Sequence, residues 1–375
     1  MKLLLINSVI GFGSTGRIVL EIAKEYEQNG YEVKIAYGRN EKCPEEAKKY
    51  AVRIGNDIEV YLHVLYTRLT DRHGLASKLA TRKFLDWAEN YNPDIVWLHN
   101  IHGYYINYVM LFDWIKSRPQ MNVKWTLHDC WAFTGHCAYF TYVNCKNWCN
   151  EVGCRSCCQK NTYPQSFIDK AGKNYLRKRK TFSHIKNLII ITPSEWLASL
   201  VKKSFLREYN IIVVKNKIRT NIFKPTDNDF KEKFNITDKI MLLGVANKWE
   251  KRKGLDDFIE LSTRLDDKYQ IVLVGISKNE IKKVPQNVIC IPRVKSTTEL
   301  VQIYSAADVF INPTREENYP TVNLEAEACG TPVITYDTGG CSETVKMDNS
   351  IVVSASVDNI LKAIKTLRIA SSSEG

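Results

Sequence analysis

The stretch Asn312-Pro-Thr-Arg-Glu-Glu-Asn-Tyr-Pro-Thr-Val-Asn-Leu-Glu-Ala-Glu-Ala-Cys-Gly-Thr-Pro-Val-Ile-Thr335 decides how the chain is read. It predicts loop, helix, loop, strand. Pro320 suits a first helical position, where its missing N–H has no intrahelical partner. The pattern runs through Val322, Leu324, Ala326 and Ala328, and Gly330 ends it. Two carboxylates, Glu317 and Glu325, bracket the helix start. A helix N-terminus carries free N–H groups and a partial positive charge, so it attracts anions. At the level of residues two readings stand. One is an ordinary helix with acidic residues placed as the macrodipole favours. The other is a ligand site whose carboxylates hold hydroxyls while phosphates lie nearby.

Working outward, the chain repeats one rhythm. Lys2–Ser8 is a near-continuous apolar run, as in a strand buried on both faces of a parallel sheet. Gly11-Phe-Gly-Ser-Thr-Gly16, a helix and the strand Tyr31–Tyr37 complete a βαβ unit. The glycine spacing is that of a dinucleotide fingerprint, but Tyr37-Gly38-Arg39 stands where an acidic residue belongs, so NAD is a weak reading. Gly13 and Gly16 let the backbone approach a phosphate or sugar. Residues 58–92 read as helical, Asp94–His99 and Val123–His128 as strands, and Asn187–Ser194 as the last strong strand of a first domain. The pattern restarts with strands at 239–246, 269–274, 287–291, 308–312 and 331–335. Strands alternating with helices predict two doubly wound α/β domains, 1–215 and 216–375, with a cleft between them as the ligand site.

The 375 residues are enough for two full cores. No apolar run is long enough for a membrane span, and the N-terminus reads as a strand rather than a signal peptide, which predicts a cytoplasmic protein. The net charge of +12 is uneven: residues 1–210 hold 30 Lys and Arg against 19 Asp and Glu. A merely solvated basic face, or peripheral contact with an anionic membrane face, fits this excess. No nucleic-acid module is present.

His99, His102 and His128 fall at the carboxyl ends of strands, where open α/β sheets bind ligands. Residues 130–165 break the rhythm and hold seven of the eleven cysteines. In a reducing compartment that composition points to metal or to free thiols. Cys154-x-x-Cys157 is half of a tetrahedral zinc site, with Cys137 and Cys145 as its candidate partners.

In the second domain Lys248 and Lys253 lie in a strand-to-helix loop, suited to a diphosphate. Arg293 follows the strand at 287–291, and Thr338-Gly-Gly340 makes a further turn into another helix. Together with Glu317 and Glu325 they describe a nucleotide-sugar pocket. Here the chain resembles a known family. Glu317-x7-Glu325, then Ala326-x-Ala328-x-Gly330-Thr-Pro-Val333, looks like the signature of retaining family-four glycosyltransferases of the GT-B fold. Thr126-Leu-His-Asp-Cys-Trp-Ala-Phe-Thr-Gly-His-Cys137 and Leu98-His-Asn-Ile-His-Gly-Tyr-Tyr105 are similar to a bacterial subgroup acting on capsule, exopolysaccharide and O-antigen, with colanic-acid-type enzymes as the nearest comparison.

The resemblance implies roles. Lys253 and, less securely matched, Lys248 meet the donor diphosphate. Glu325 holds the ribose, and Glu317 the transferred sugar. His128 reaches that sugar from the first domain. Gly13 and Gly16 form the turn that meets diphosphate and acceptor, with His99 and His102 on the acceptor side. Arg293 and Val294 border the base. It implies transfer from a nucleoside-diphosphate sugar with retention, without a divalent metal or other cofactor, to a lipid-linked or oligosaccharide acceptor. A sugar-nucleotide epimerase or hydrolase of the same fold, or a weakly active binding scaffold, are the alternatives. Two departures stand out. Asn318-Tyr319-Pro320 replaces a common Gly-Phe-Gly, and the chain ends in Ala370-Ser-Ser-Ser-Glu-Gly375 where members carry a long return helix.

Overall fold

The computed structural model describes residues 1–39, 43–149, 153–294 and 296–367. The chain divides into two compact units, Met1–Lys215 and Asn216–Gly375. The first contains seven strands, β1 (Lys2–Asn7), β2 (Glu32–Tyr37), β3 (Ala51–Arg53), β4 (Ile95–Leu98), β5 (Asn122–Thr126), β6 (Leu188–Thr192) and β7 (Asn210–Val213). They form one parallel sheet in the order β3-β2-β1-β4-β5-β6-β7. The second contains β8 (Ile240–Val245), β9 (Tyr269–Val274), β10 (Ile289–Ile291), β11 (Val309–Asn312), β12 (Val333–Tyr336) and β13 (Ile351–Val353). Their order, again all parallel, is β10-β9-β8-β11-β12-β13.

The apolar runs explain the layering. Successive strand residues point to opposite faces. Leu4 and Ile6 of β1 join Val96 and Leu98 in one core, while Leu3 and Leu5 join Ile35 and Ile95 in the other. In the second unit Leu242, Leu273 and Ile311 belong to one core, and Met241, Leu243, Val272 and Phe310 to the opposite one. Each sheet is therefore covered by helices on both sides, which is why these strands read as unbroken apolar runs. Strand order reverses between β1 and β4 in the first unit and between β8 and β11 in the second. Those switch points leave a crevice beyond the strand ends.

Three features differ from the sequence reading. The single helical stretch at 58–92 is two helices, Asp57–Thr70 and Lys78–Tyr91. The break is made by Asp71, left-handed at φ 50°. Its carboxylate pairs with His136 at 2.6 Å and accepts the Lys170 N–H at 2.6 Å, all inside the protein. Tertiary pairing of a buried carboxylate overrides a helical pattern. Second, the turn after Gly340 leads into one 3-10 turn, Ser342–Thr344, and then β13, rather than into a helix. Third, Pro320 is the residue before the helix Thr321–Ala328, one position earlier than its spacing predicts. The last described helix is Val357–Thr366. The tail Ala370–Gly375, where the sequence reading missed a return helix, lies outside the described residues. Among the described residues no helix is long and apolar enough to cross a membrane.

Removing one partner of a buried hydrogen bond leaves the other unsatisfied. Asp71→Ala is expected to destabilise the first unit by about 1–3 kcal/mol, seen as a lowered urea midpoint; an unchanged midpoint would show that the break does not depend on this pair.

Candidate functional site

The loop after β11 forms a polar cluster in the second unit. Glu317 carries it. The Lys253 ammonium donates to its carboxylate, and so does Arg252 Nη1 at 3.1 Å. Arg252 Nη1 also donates to the Glu316 carbonyl. The Asn318 N–H reaches the other oxygen of Glu317 at 3.2 Å. Burial opposes ionisation of this carboxyl, but the charges and hydrogen bonds of Lys253 and Arg252 outweigh it and bring the pKa down to about 2. Glu317 is thus a largely buried carboxylate held ionised by two cations.

Two glycine turns clamp this loop. Gly254 (φ 75°) follows the 3-10 turn Lys251–Lys253, and a Cβ there would collide with the Pro313 carbonyl. Gly339 (φ 60°) stands closer still to the Glu317 carbonyl, so only glycine fits. The Gly340 N–H donates to that same carbonyl at 2.9 Å, and the Thr338 hydroxyl to Thr314 O at 2.6 Å. The Arg315 N–H bonds the Arg252 carbonyl at 2.8 Å. The ends of β8, β11 and β12 are in this way tied into one cluster containing Arg252, Lys253, Glu317, Asn318, Gly339 and Gly340.

Other residues predicted for this pocket stand outside that cluster of contacts. Lys248 is exposed and pairs with Glu250 at 2.8 Å. Glu325 is buried, and its carboxylate accepts the Tyr304 hydroxyl at 3.1 Å. Tyr319 is buried; Arg293 is exposed and Val294 half-buried beyond β10, at the sheet edge. Arg252 was missed by the sequence reading. Its only signal was membership of the basic run Lys251-Arg-Lys253.

The first unit gathers its histidines at the ends of β4 and β5. His99 Nδ1 lies 3.0 Å from His128 Nε2, with the rings stacked 19° from parallel. Burial lowers the pKa of both, that of His128 to about 4, so the pair is neutral at neutral pH. His102 Nε2 lies 3.1 Å from the Asp129 carboxylate, and its Nδ1 lies 3.0 Å from the Tyr163 hydroxyl. Gly13 (φ 63°) opens the helix Gly13–Gln28, and Gly16 packs close to Val9 and Gly11.

The cysteine-rich segment has an apolar centre. Phe133, Phe140 and Trp148 contact one another with ring centroids 4.9–6.4 Å apart. Cys137 hydrogen-bonds Cys157, and Cys154 accepts the Gly135 N–H at 3.3 Å, while Cys145 neighbours Cys158. Among the described residues no three His, Cys, Asp or Glu side chains are placed to hold a metal ion. Of the proposed zinc set, Cys137 stands against Cys157, and Cys154 neighbours Cys157 and Cys145, without meeting that arrangement.

Residues 15–221 match the family described as Glycosyltransferase Family 4, and residues 226–369 match Glycosyl transferases group 1. The chain belongs to glycosyltransferase family 4. It is 24% identical to the putative colanic acid biosynthesis glycosyl transferase WcaC of Escherichia coli K12, over 94% of this chain and 87% of that protein. It is 29% identical to the N,N'-diacetylbacillosaminyl-diphospho-undecaprenol alpha-1,3-N-acetylgalactosaminyltransferase of Campylobacter jejuni, over 44% of this chain and 46% of that one. Among solved structures, Anabaena HepE in complex with UDP and glucose superposes with a TM-score of 0.65 at 14% identity, covering 98% of this chain and 89% of HepE. The two doubly wound units of this glycosyltransferase are the GT-B fold.

The ion cluster has a pH signature. A carboxyl whose folded pKa is depressed contributes stability that is complete above its unfolded value and fades as pH falls. For Glu317 that window runs from about 4.5 down to about 2. Acid titration of the unfolding free energy is expected to show a decline there that Glu317→Gln lacks; identical profiles would remove the ion cluster as its source.

Proposed function

We propose that this glycosyltransferase moves a sugar from a nucleoside-diphosphate sugar to a lipid-linked or oligosaccharide acceptor, with retention at the anomeric carbon, in bacterial surface polysaccharide synthesis. The observation that carries the reading is the Glu317 carboxylate held by Lys253 and Arg252 at the switch point of the second sheet. Cations suit a diphosphate leaving group, and an acceptor-only carboxylate suits sugar hydroxyls. The names of the relatives support it: WcaC by colanic acid, the Campylobacter enzyme by its diphospho-undecaprenol acceptor, and HepE by its bound UDP and glucose.

In this reading Lys253 takes the donor diphosphate, with Arg252 beside it and Lys248 as a weaker, exposed contact. Glu317 orients the sugar and balances positive charge developing at its anomeric carbon. Glu325 serves the ribose, while Arg293 and Val294 border the base. Asn318, Tyr319, Gly339 and Gly340 line the donor. Gly13 and Gly16 approach diphosphate and acceptor, His128 acts on the sugar, and His99 and His102 stand on the acceptor side. The bond from the anomeric carbon to the diphosphate oxygen breaks, and the bond to the acceptor oxygen forms on the same face. The acceptor proton passes to the departing phosphate, so no side-chain base is assigned and no divalent metal takes part.

Incubation with radiolabelled UDP-, GDP- and dTDP-sugars, with and without lipid-linked acceptor, tests this. Transfer with the anomeric configuration kept is expected. Release or isomerisation without acceptor would make the chain a hydrolase or an epimerase, and nucleotide binding without turnover a scaffold. Glu317→Ala is expected to lower transfer about a thousandfold while leaving the Lys253 ammonium in place for the diphosphate, so nucleotide affinity stays within a few fold. Undiminished transfer would refute the role given to Glu317.

A further inference from the structure

His99 follows the last residue of β4, and His128 stands just past the end of β5. The two strands are parallel neighbours, so their ends bring the rings together. His99 has little freedom there. Its backbone N–H donates to the Ile6 carbonyl at 2.8 Å, and its carbonyl accepts the Trp125 indole N–H at 3.2 Å. Its ring stacks on Trp97, centroids 5.6 Å apart and planes 23° from parallel. His99 is 2% exposed, whereas His128 keeps part of its surface open. A rigid, buried ring thus backs a more accessible one, which is how a supporting residue orients the group in front of it.

The contact also decides where the protons sit. A neutral imidazole has one N–H and one lone pair. Both rings are neutral, so His99 Nδ1 and His128 Nε2, 3.0 Å apart, share a single proton. Two arrangements satisfy that bond. If His128 Nε2 donates, His99 keeps its own proton on Nε2. That atom is buried and has no hydrogen-bond partner, so an N–H would be stranded there. If His99 Nδ1 donates, the stranded atom is a bare lone pair. Buried N–H groups without an acceptor are rarer than under-satisfied acceptors, which favours the second arrangement. It leaves the proton of His128 on Nδ1, since the hydrogen bond at one ring nitrogen sets the state of the other.

We propose that His99 is a positioning residue. Its Nδ1–H holds His128 as the Nδ1–H tautomer, so that His128 meets the transferred sugar as a hydrogen-bond donor. A donor supplies what an acceptor-only carboxylate lacks, a proton aimed at a sugar oxygen. The consequence for the sugar rests on the reading that His128 acts on it; the tautomer itself does not.

The tautomer is read by long-range proton–nitrogen correlation NMR on the full chain with 15N-labelled histidine, without donor or acceptor. The His128 signals are identified by their loss in His128→Gln. A protonated Nδ1 and a bare Nε2 are expected. His99→Phe keeps a flat ring against Trp97 but has no N–H, and a mixture of His128 tautomers is expected. His99→Asn returns an amide N–H near the place of Nδ1 and is expected to restore one tautomer. In the transfer assay His99→Phe is expected to lower kcat about tenfold with donor KM within a few fold, and His99→Asn to recover most of the loss. A role in packing alone would change neither the tautomer nor kcat without KM.

The proposal is overturned if His128 carries its proton on Nε2 in the wild-type chain, or if His99→Phe leaves the tautomer unchanged. It is also overturned if the tautomer shifts while kcat holds. Should His99→Phe fail to fold, the wild-type spectrum and His99→Asn still decide it. A chain that transfers no sugar refutes the transfer reading, and the spectrum then judges the role of His99 separately.

Discussion

The second unit depends on a carboxylate that is largely buried and still ionised. Burial alone would protonate Glu317, and the chain prevents this by bringing Lys253 and Arg252 to it from the preceding strand-to-helix turn. That arrangement needs the turn after β8 and the loop after β11 to touch. Adjacency of β8 and β11 supplies the contact, and glycine at 254 and 339 removes the side chains that would hold the backbones apart. Strand order, two glycines and one ion cluster are therefore one device.

The first unit uses the same architecture with neutral groups. Parallel strands β4 and β5 deliver His99 and His128 side by side, and burial keeps both rings uncharged. Beside them Asp129, His102 and Tyr163 form a hydrogen-bonded chain in which the last member comes from the cysteine-rich segment. That segment is attached through Trp131, whose ring packs on Tyr108 and Phe182, and through the buried Asp71–His136 pair, which also breaks the helical stretch before it. One polar contact thus decides the path of two parts of the chain far apart in sequence.

Much of this was legible in the residues. Uninterrupted apolar runs such as Leu3–Ile6 mean parallel strands, and their alternation with helical periods means doubly wound sheets. The motif from Glu317 to Val333 was specific enough to point to family-four glycosyltransferases, and the family match agrees. What escaped were features carried by contact at long range. Arg252 looks like any member of a basic run until the fold puts Glu316 and Glu317 against it. The four cysteines have metal-ligand chemistry, but spacing in sequence does not fix the geometry of their sulfurs.

The sequence by itself determined the two α/β units and the family, because burial of apolar runs and turn chemistry are local properties that a pattern displays. The tertiary structure alone decided which cations hold Glu317, where the helix breaks at Asp71, and that His99 meets His128. Those outcomes depend on distances between residues far apart in the chain, and the energy of a buried charge or an unpaired buried nitrogen exists only once its neighbours are in place.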